Sequence, residues 1–382
     1  MGLIDFDFAV IGGGPAGSSI AIHLANFGFN VSLFEKKEFP RDVLCGEFLS
    51  SEVIEYLKRM DFFGPFTSLN PAKINSFRFI NNDASEIKTD FSFEAYAMKR
   101  SLFDNLLLEK AKESGVKVFQ PSEIKIIKRQ ENLFRLKVLN PQNIHKDIST
   151  RFLIAAYGKQ NILDKLLNRS FVNRKSRLNG VKFHISKKYL KDFPDNEIRI
   201  YASEGIYCGI NSISFEEATL CFLEDRNVFS GSAKNHLIDL MKINNRFRDI
   251  FTSDFPDIIN DLQVYGTGNI YFGKRELVKD GIFMVGDAAG VIAPLTGDGI
   301  GMALETAELL SKILADGFIK NKKPETVEKH YIREWNEHFN SRLLSAGFIQ
   351  KLVLDGTLIK PGIGILKLFP SILPKLVKMT RG

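Results

Sequence analysis

The run Phe8-Ala9-Val10-Ile11 is apolar without a break, the pattern of a strand buried on both faces. Helical spacing follows from Pro15 to Phe27, and then a second run, Val31-Ser32-Leu33-Phe34, so the chain opens with a predicted β-α-β unit. A helix is predicted from Ser51 to Met60, with Ser50 or Ser51 as its N-cap. The period then changes to two: Phe77 and Phe79 alternate with polar neighbours, as do Phe91 and Phe93, which predicts antiparallel strands with one apolar face. Arg100 to Ser114 reads as an amphipathic helix carrying Leu102, Phe103, Leu106, Leu107 and Ala111, ended by Gly115. Short strands are expected at Val116 to Phe119, Glu123 to Lys128 and Leu133 to Val138. A buried strand, Phe152 to Ala156, ends in Tyr157-Gly158.

The β pattern returns at Val181 to Ile185, Ile198 to Tyr201, Gly205 to Ile210 and Ala218 to Leu223, and residues 233–260 look helical. Gly281 to Asp287 is a last buried strand with a glycine-aspartate end, and a long helix is predicted from Met302 to Gly317. The remaining residues read as mainly helical. One α/β domain is therefore written in pieces (1–70, 100–160 and 265–330). A β-rich, α+β domain (71–99 and 161–264) is inserted between them, and a helical segment (331–382) closes the chain.

Composition changes little in this picture. Hydrophobic residues at 44% and charged residues at 25% are ordinary for a globular protein. No apolar run is long enough for a membrane span, and the first residues are too short and acidic for a signal peptide, so a cytoplasmic location is expected. Cys45, Cys208 and Cys221 are too few for a disulfide framework and lack metal-ligand spacing. The net charge of +7 is mostly scattered lysine, and no helix-turn-helix, zinc-finger or RNA-binding signature accompanies it; nucleic acid is not an expected partner.

The chemistry begins at Gly12, Gly14 and Gly17, which fit G-x-G-x-x-G between the first strand and its helix. The first glycine permits a tight turn, the second lets the backbone approach a pyrophosphate, and the third lets helix and strand pack closely. Pro15 and Ala16 open a helix whose N–H groups and positive dipole end face that pyrophosphate. Glu35 ends the second strand, where a carboxylate accepts both ribose hydroxyls and repels a 2′-phosphate. The fold class is thus a Rossmann-like dinucleotide-binding domain with an inserted antiparallel sheet and a helical C-terminus.

Gly286-Asp287 and the loop Pro294-Leu295-Thr296-Gly297-Asp298-Gly299-Ile300-Gly301 resemble the second FAD fingerprint of the flavoprotein monooxygenase superfamily. This group has the para-hydroxybenzoate hydroxylase fold and includes geranylgeranyl reductases, squalene epoxidase and flavin-dependent halogenases. The resemblance covers most of residues 1–320. It implies FAD as cofactor, with Asp287 on a ribityl hydroxyl and the bared helix start at Gly297, Gly299 and Gly301 facing the flavin edge where negative charge develops on reduction. It also places Arg100 near the FAD phosphates and ribityl chain, and Arg41, after Lys36, near the adenosine half.

Some residues depart from the group's patterns. Aromatic hydroxylases carry Asp-Gly where this chain has Tyr157-Gly158, which speaks against direct use of a nicotinamide coenzyme. They also carry His after Gly-Asp-Ala-Ala, where Gly290 stands here, as in the reductases. The reductases carry Tyr-x-Trp-x-Phe-Pro in the substrate sheet, whereas this chain reads Ile206-Tyr207-Cys208-Gly209-Ile210-Asn211. The one tryptophan, Trp335, lies outside the halogenase motif Trp-x-Trp-x-Ile-Pro, which argues against halogenation.

Cys45-Gly46-Glu47 matches a cysteine-glycine pair that reductases of the group place near the flavin's reacting face. Cys45 is the expected proton donor, and Glu47 is expected to tune the thiol or bind substrate. His184 is a base or a satisfied strand residue. The resemblance therefore implies an FAD-dependent oxidoreductase that delivers hydride from reduced flavin to a C=C bond of an isoprenoid, polyene or aromatic molecule. The alternatives are a monooxygenase working through a peroxyflavin and a non-catalytic FAD-binding electron carrier. NAD(P)H as a transient reductant, or an electron-donor protein, would supply electrons. Residues 349–382 interleave apolar side chains with Lys351, Lys360, Lys367, Lys375, Lys378 and Arg381. They are read either as a peripheral contact with the inner face of a membrane or as a tail packed on the protein.

Overall fold

The computed structural model describes residues 4–83, 85–130, 133–140, 142, 145–229, 231–355, 359 and 361–365. Its first sheet has the strand order Val278–Lys279, Ile282–Met284, His145–Ala155, Phe6–Ile11, Val31–Phe34, Lys117–Phe119. Leu133–Leu139 extends it by antiparallel pairing with His145–Ala155, and Glu123–Gln130 pairs antiparallel with Leu133–Leu139 in turn. Phe6–Ile11 lies at the centre, parallel to both neighbours, and Phe8, Ala9 and Val10 are inaccessible to solvent. An unbroken apolar strand is stable only with both faces covered. Helices Pro15–Asn26 and Gly299–Ile319 pack together in this layer.

The second sheet runs Tyr265–Thr267, Leu178–Ser186, Glu217–Asp225, Ile206–Ser212, Glu197–Ser203, Ala72–Asn81, Glu86–Ala97, Phe48–Leu49. One pair, Glu197–Ser203 with Ala72–Asn81, is parallel. A parallel pair needs a long crossover, and here the chain between the two strands passes through the first sheet. One face of the second sheet is covered by short helices Ala233–Ile243, Asn245–Arg248 and Phe255–Ile258, which bury Phe183, Phe222, Phe247, Phe251 and Phe255 with it. The opposite face, bearing Phe77, Phe79, Ile198 and Ile200, looks towards the first sheet across a cavity.

Three predicted elements differ in extent. The strand expected from Gly281 to Asp287 stops at Met284, and Gly286–Ala288 turn as a 3-10 helix, because Gly286 takes φ 59, which no strand accommodates. The helix expected from Met302 begins at Gly299 and runs to Ile319. The helical C-terminus is mainly one helix, Pro324–Leu354, packed on Gly299–Ile319 through Val327, Tyr331, Trp335, Phe339 and Leu343. Among the described residues no helix is long and apolar enough to cross a membrane.

Trp335 is the chain's only tryptophan and is fully buried, its ring edge lying against Gly290 and Phe339. Trp335→Ala is expected to destabilise the protein by about 3–5 kcal/mol, read from urea unfolding followed by circular dichroism. The wild-type fluorescence should red-shift in the same transition.

Candidate active site

The cavity has a volume of about 840 Å³ and lies between the two sheets. Its polar end is the glycine turn. Gly12 holds φ 104, and a Cβ there would lie 2.6 Å from the Ala156 carbonyl oxygen. A Cβ on Gly17 would lie 1.8 Å from the Gly12 carbonyl oxygen, so any side chain there forces helix and turn apart. Glu35 is buried and accepts from the backbone N–H of Gly13 and of Lys37, each at 2.8 Å. Each carboxylate oxygen keeps a lone pair for another donor. Arg41 stacks on Phe39 and stands 3.7 Å from Glu35 and 3.3 Å from Asp104. Arg100 grips Asp104 with two bonds, of 2.7 and 2.9 Å, one turn along its helix. Burial opposes charge on Arg100, but Asp104 and the facing Cys45 thiol hold its pKa above the usual arginine value.

Two helix starts converge on the cavity. Gly14 is the N-cap of Pro15–Asn26 and Asp298 that of Gly299–Ile319; neither offers a side-chain cap, and neither helix has an acid in its first turn. Their N–H groups are left for a ligand. Asp298 is ion-paired with Arg342 of the last helix, which also holds Glu305 at 2.5 Å. Burial pushes the Asp298 carboxyl up to about 7 against the pull of Arg342. Asp287 lines the cavity with Lys159 3.1 Å away.

Of the residues expected to hold the cofactor, Gly12, Gly14, Pro15, Ala16, Glu35, Lys36, Arg41, Arg100, Asp287, Pro294, Gly297, Gly299 and Ile300 line this one cavity. Gly17 and Gly301 do not; they sit behind it at close contacts, a Cβ on Gly301 falling 2.7 Å from Asp298 Oδ1. The glycine cradle, the carboxylate and the two open helix starts match the phosphate, ribose and ring portions of FAD, so the residues present fit the group.

Cys45 and Glu47 also line the cavity. The Glu47 backbone N–H reaches Cys45 Sγ at 3.3 Å, but its carboxylate turns elsewhere. That carboxylate accepts from the buried Lys182 ammonium at 2.9 Å and from the Arg100 backbone N–H at 3.0 Å, and lies 2.7 Å from His184 Nε2. Glu47 is therefore a clasp more than a partner of the thiol. It holds φ 59, uncommon for a residue with a side chain. Burial alone would raise its pKa; the bond to His184, the charge of Lys182 and the Arg100 N–H together hold it below the ordinary carboxylate value. Asp42 and Tyr265, bonded at 3.1 Å, close this polar corner.

Tyr157 faces the cavity where the hydroxylases place an aspartate. Its hydroxyl donates to Asp164 at 2.7 Å and meets Arg169 Nη1 at 3.3 Å; burial, then the Asp164 charge, raises its pKa far above the ordinary tyrosine value. The apolar end of the cavity is roofed by Phe77, Phe79, Ile198 and Ile200 and closed by Phe348, Leu352, Ile359 and Ile363. Ile359 and Ile363 are buried, so the part of 349–382 that is described packs on the protein; residues 356–358, 360 and 366–382, which carry most of the basic charge of the expected membrane contact, lie outside the described residues.

Sequence reasoning missed Lys182, Asp42, Tyr265 and Asp104. The signal for Lys182 was present: Lys182 and His184 are the two basic residues in the otherwise apolar stretch 181–185 and, two apart, share a face. Asp104 stands one helical turn from Arg100. Asp42 and Tyr265 are far apart in the chain, and no local pattern joins them.

Two expectations test this site. Gly17→Ala should purify with little or no bound flavin, read from its visible absorbance, because the new methyl wedges the phosphate turn open. Glu47→Ala should lose about 3–5 kcal/mol by stranding the Lys182 charge. Since the folded pKa of Glu47 is depressed, its contribution is full above the ordinary carboxylate range, about 4, and is lost as pH falls through the lowered value. Glu47→Gln should accordingly flatten the acid limb of the stability–pH curve.

A family model described as FAD binding domain matches residues 5–336. Conditioned medium factor receptor 1 of Dictyostelium discoideum is 27% identical over 364 residues, covering 87% of this chain and 68% of its own length. Digeranylgeranylglycerophospholipid reductase of Thermoplasma acidophilum is 24% identical over 381 residues, covering 91% of this chain and 90% of its own. The solved structure of the flavin-dependent brominase Bmp2 superposes with a TM-score of 0.77 at 17% identity, covering 98% of this chain and 93% of the brominase, a likeness of fold. The match over most of the chain, on the cradle just described, places this protein in the FAD binding domain family, as an FAD-dependent oxidoreductase with FAD as its cofactor.

Proposed function

We propose that the protein reduces a carbon–carbon double bond in an apolar, isoprenoid-like small molecule. The observation that carries this reading is the single cavity that joins the cofactor cradle to the apolar roof, with the Cys45 thiol on its wall. FAD, bound and reduced by an external two-electron donor, would supply a hydride equivalent to one alkene carbon and return to its oxidised form. The chain's residues do the rest. Phe77, Phe79, Ile198 and Ile200 hold the alkene and exclude water. Cys45 Sγ carries the proton for the second alkene carbon. The Arg100 guanidinium facing that sulfur, with the Glu47 N–H, stabilises the thiolate left behind.

The digeranylgeranylglycerophospholipid reductase relative supports an isoprenoid chain as substrate. An electron carrier has no use for an apolar chamber open to its cofactor. The Tyr157 hydroxyl, tied to Asp164 and Arg169, offers no carboxylate to a nicotinamide coenzyme, which favours another source of electrons.

The test is anaerobic. FAD-loaded protein reduced with dithionite is mixed with digeranylgeranylglyceryl phospholipid, and the product is weighed. The expected product gains two hydrogens per double bond, and Cys45→Ala slows its formation by about 100-fold or more with flavin content unchanged. A product gaining one oxygen in air, with none hydrogenated without it, would make the protein a monooxygenase.

A further inference from the structure

The cavity roof is one face of the second sheet, and the strand register sets its side chains in rows. The middle row runs Lys182, Cys221, Gly209, Ile200, Phe79. Beside it runs His184, Thr219, Asn211, Ile198, Phe77. Each row is polar at one end and apolar at the other. In the middle row the two smallest side chains, Cys221 and Gly209, stand at the change.

Nothing in the backbone asks for glycine at 209. The residue lies inside the regular strand Ile206–Ser212 and is not among the glycines with positive φ. A Cβ there would meet only the tip of Ile200, at 3.1 Å, and the Cys221 carbonyl oxygen, at 3.7 Å. Glycine inside a strand weakens it, and marks a place where a ligand or another backbone comes close. Gly209 faces the cavity, so the space above it belongs to whatever the cavity holds. A polar side chain stands close by. Asn211, two residues along the same strand and on the same face, is buried and lines the cavity. A side-chain amide can accept from a hydroxyl or donate to a carbonyl.

We propose that the substrate is an amphiphile whose ring-sized apolar part lies against Gly209 and whose hydroxyl or carbonyl end meets Asn211. Gly209 sets the width of what enters. This deepens the apolar-substrate reading above and rests on it.

Binding to FAD-loaded protein, read from perturbation of the flavin absorption bands, tests it with two probes. 3-Cyclohexylpropan-1-ol sets its ring from its hydroxyl by about the rise of two strand residues; nonan-1-ol carries the same hydroxyl and the same number of carbons on a slender chain. Valine suits a strand, so Gly209→Val should keep its thermal midpoint and flavin content. It should weaken cyclohexylpropanol binding by about tenfold or more and leave nonanol within about threefold. Asn211→Leu should weaken both probes by about tenfold. Unchanged cyclohexylpropanol binding by Gly209→Val, or an equal loss of both probes, overturns the width assignment. Unchanged binding by Asn211→Leu overturns the polar end. If neither probe perturbs the wild type, the apolar-substrate reading itself falls, whatever the role of Gly209.

Discussion

The buried carboxylate of Glu47 is the point on which the site depends. It lies just before Phe48–Leu49, the edge strand at one side of the second sheet, yet it bonds Lys182 and His184 on Leu178–Ser186, near the other side. It thereby holds the two flanks of a curled sheet together, and its third bond, to the Arg100 N–H, fixes the helix that carries Arg100 and Asp104. A charge of this kind is stable in a dry interior only when every partner is in place. Loss of any one partner frees the loop that carries Asp42 and Cys45 as well as the roof above it.

That arrangement explains why so many expected residues converge without being near in sequence. The first sheet supplies the cradle through strand ends and helix starts, the usual place for ligands in an open parallel sheet. The second sheet supplies a face that is largely apolar towards the cavity and, apart from the buried Glu224–His236 pair, largely apolar towards its covering helices. Glycine, carboxylate and arginine lie at one end of the chamber and phenylalanine and isoleucine at the other, so its two ends suit groups of opposite polarity.

Most of this was legible in the sequence where the physics is local. The turn at Gly12, the strand at Phe8 to Ile11 and the helix from Arg100 follow from spacing alone, and the structure has them. The alternation of Phe77 and Phe79 gave the apolar face, though not the parallel pairing of their strand with Glu197–Ser203, which depends on a crossover through another sheet. Glu47 was singled out for the right loop, but its acid function points to Lys182 and His184, more than 130 residues away. Long-range pairing of charges leaves no periodic trace, so Asp42 and Tyr265 stayed invisible.

Asp298 shows how the chain keeps its cofactor helix open. An aspartate at an N-cap ordinarily bonds the first N–H groups of its own helix and stabilises it by about 1 kcal/mol. Elsewhere in this protein Asn161, Ser232 and Asn244 do cap their helices with side chains. Asp298 does not: its Oδ2 is held by Arg342, and its Oδ1, beside Gly301 of the first turn, takes no N–H. The first N–H groups of Gly299–Ile319 are thus left without a side-chain cap, at an end of the cavity where a bound acceptor would satisfy them. The last helix, at its far end, lines the cavity through Phe348, Leu352 and Val353. One helix therefore both anchors the N-cap residue of Gly299–Ile319 through Arg342 and closes the apolar end of the chamber.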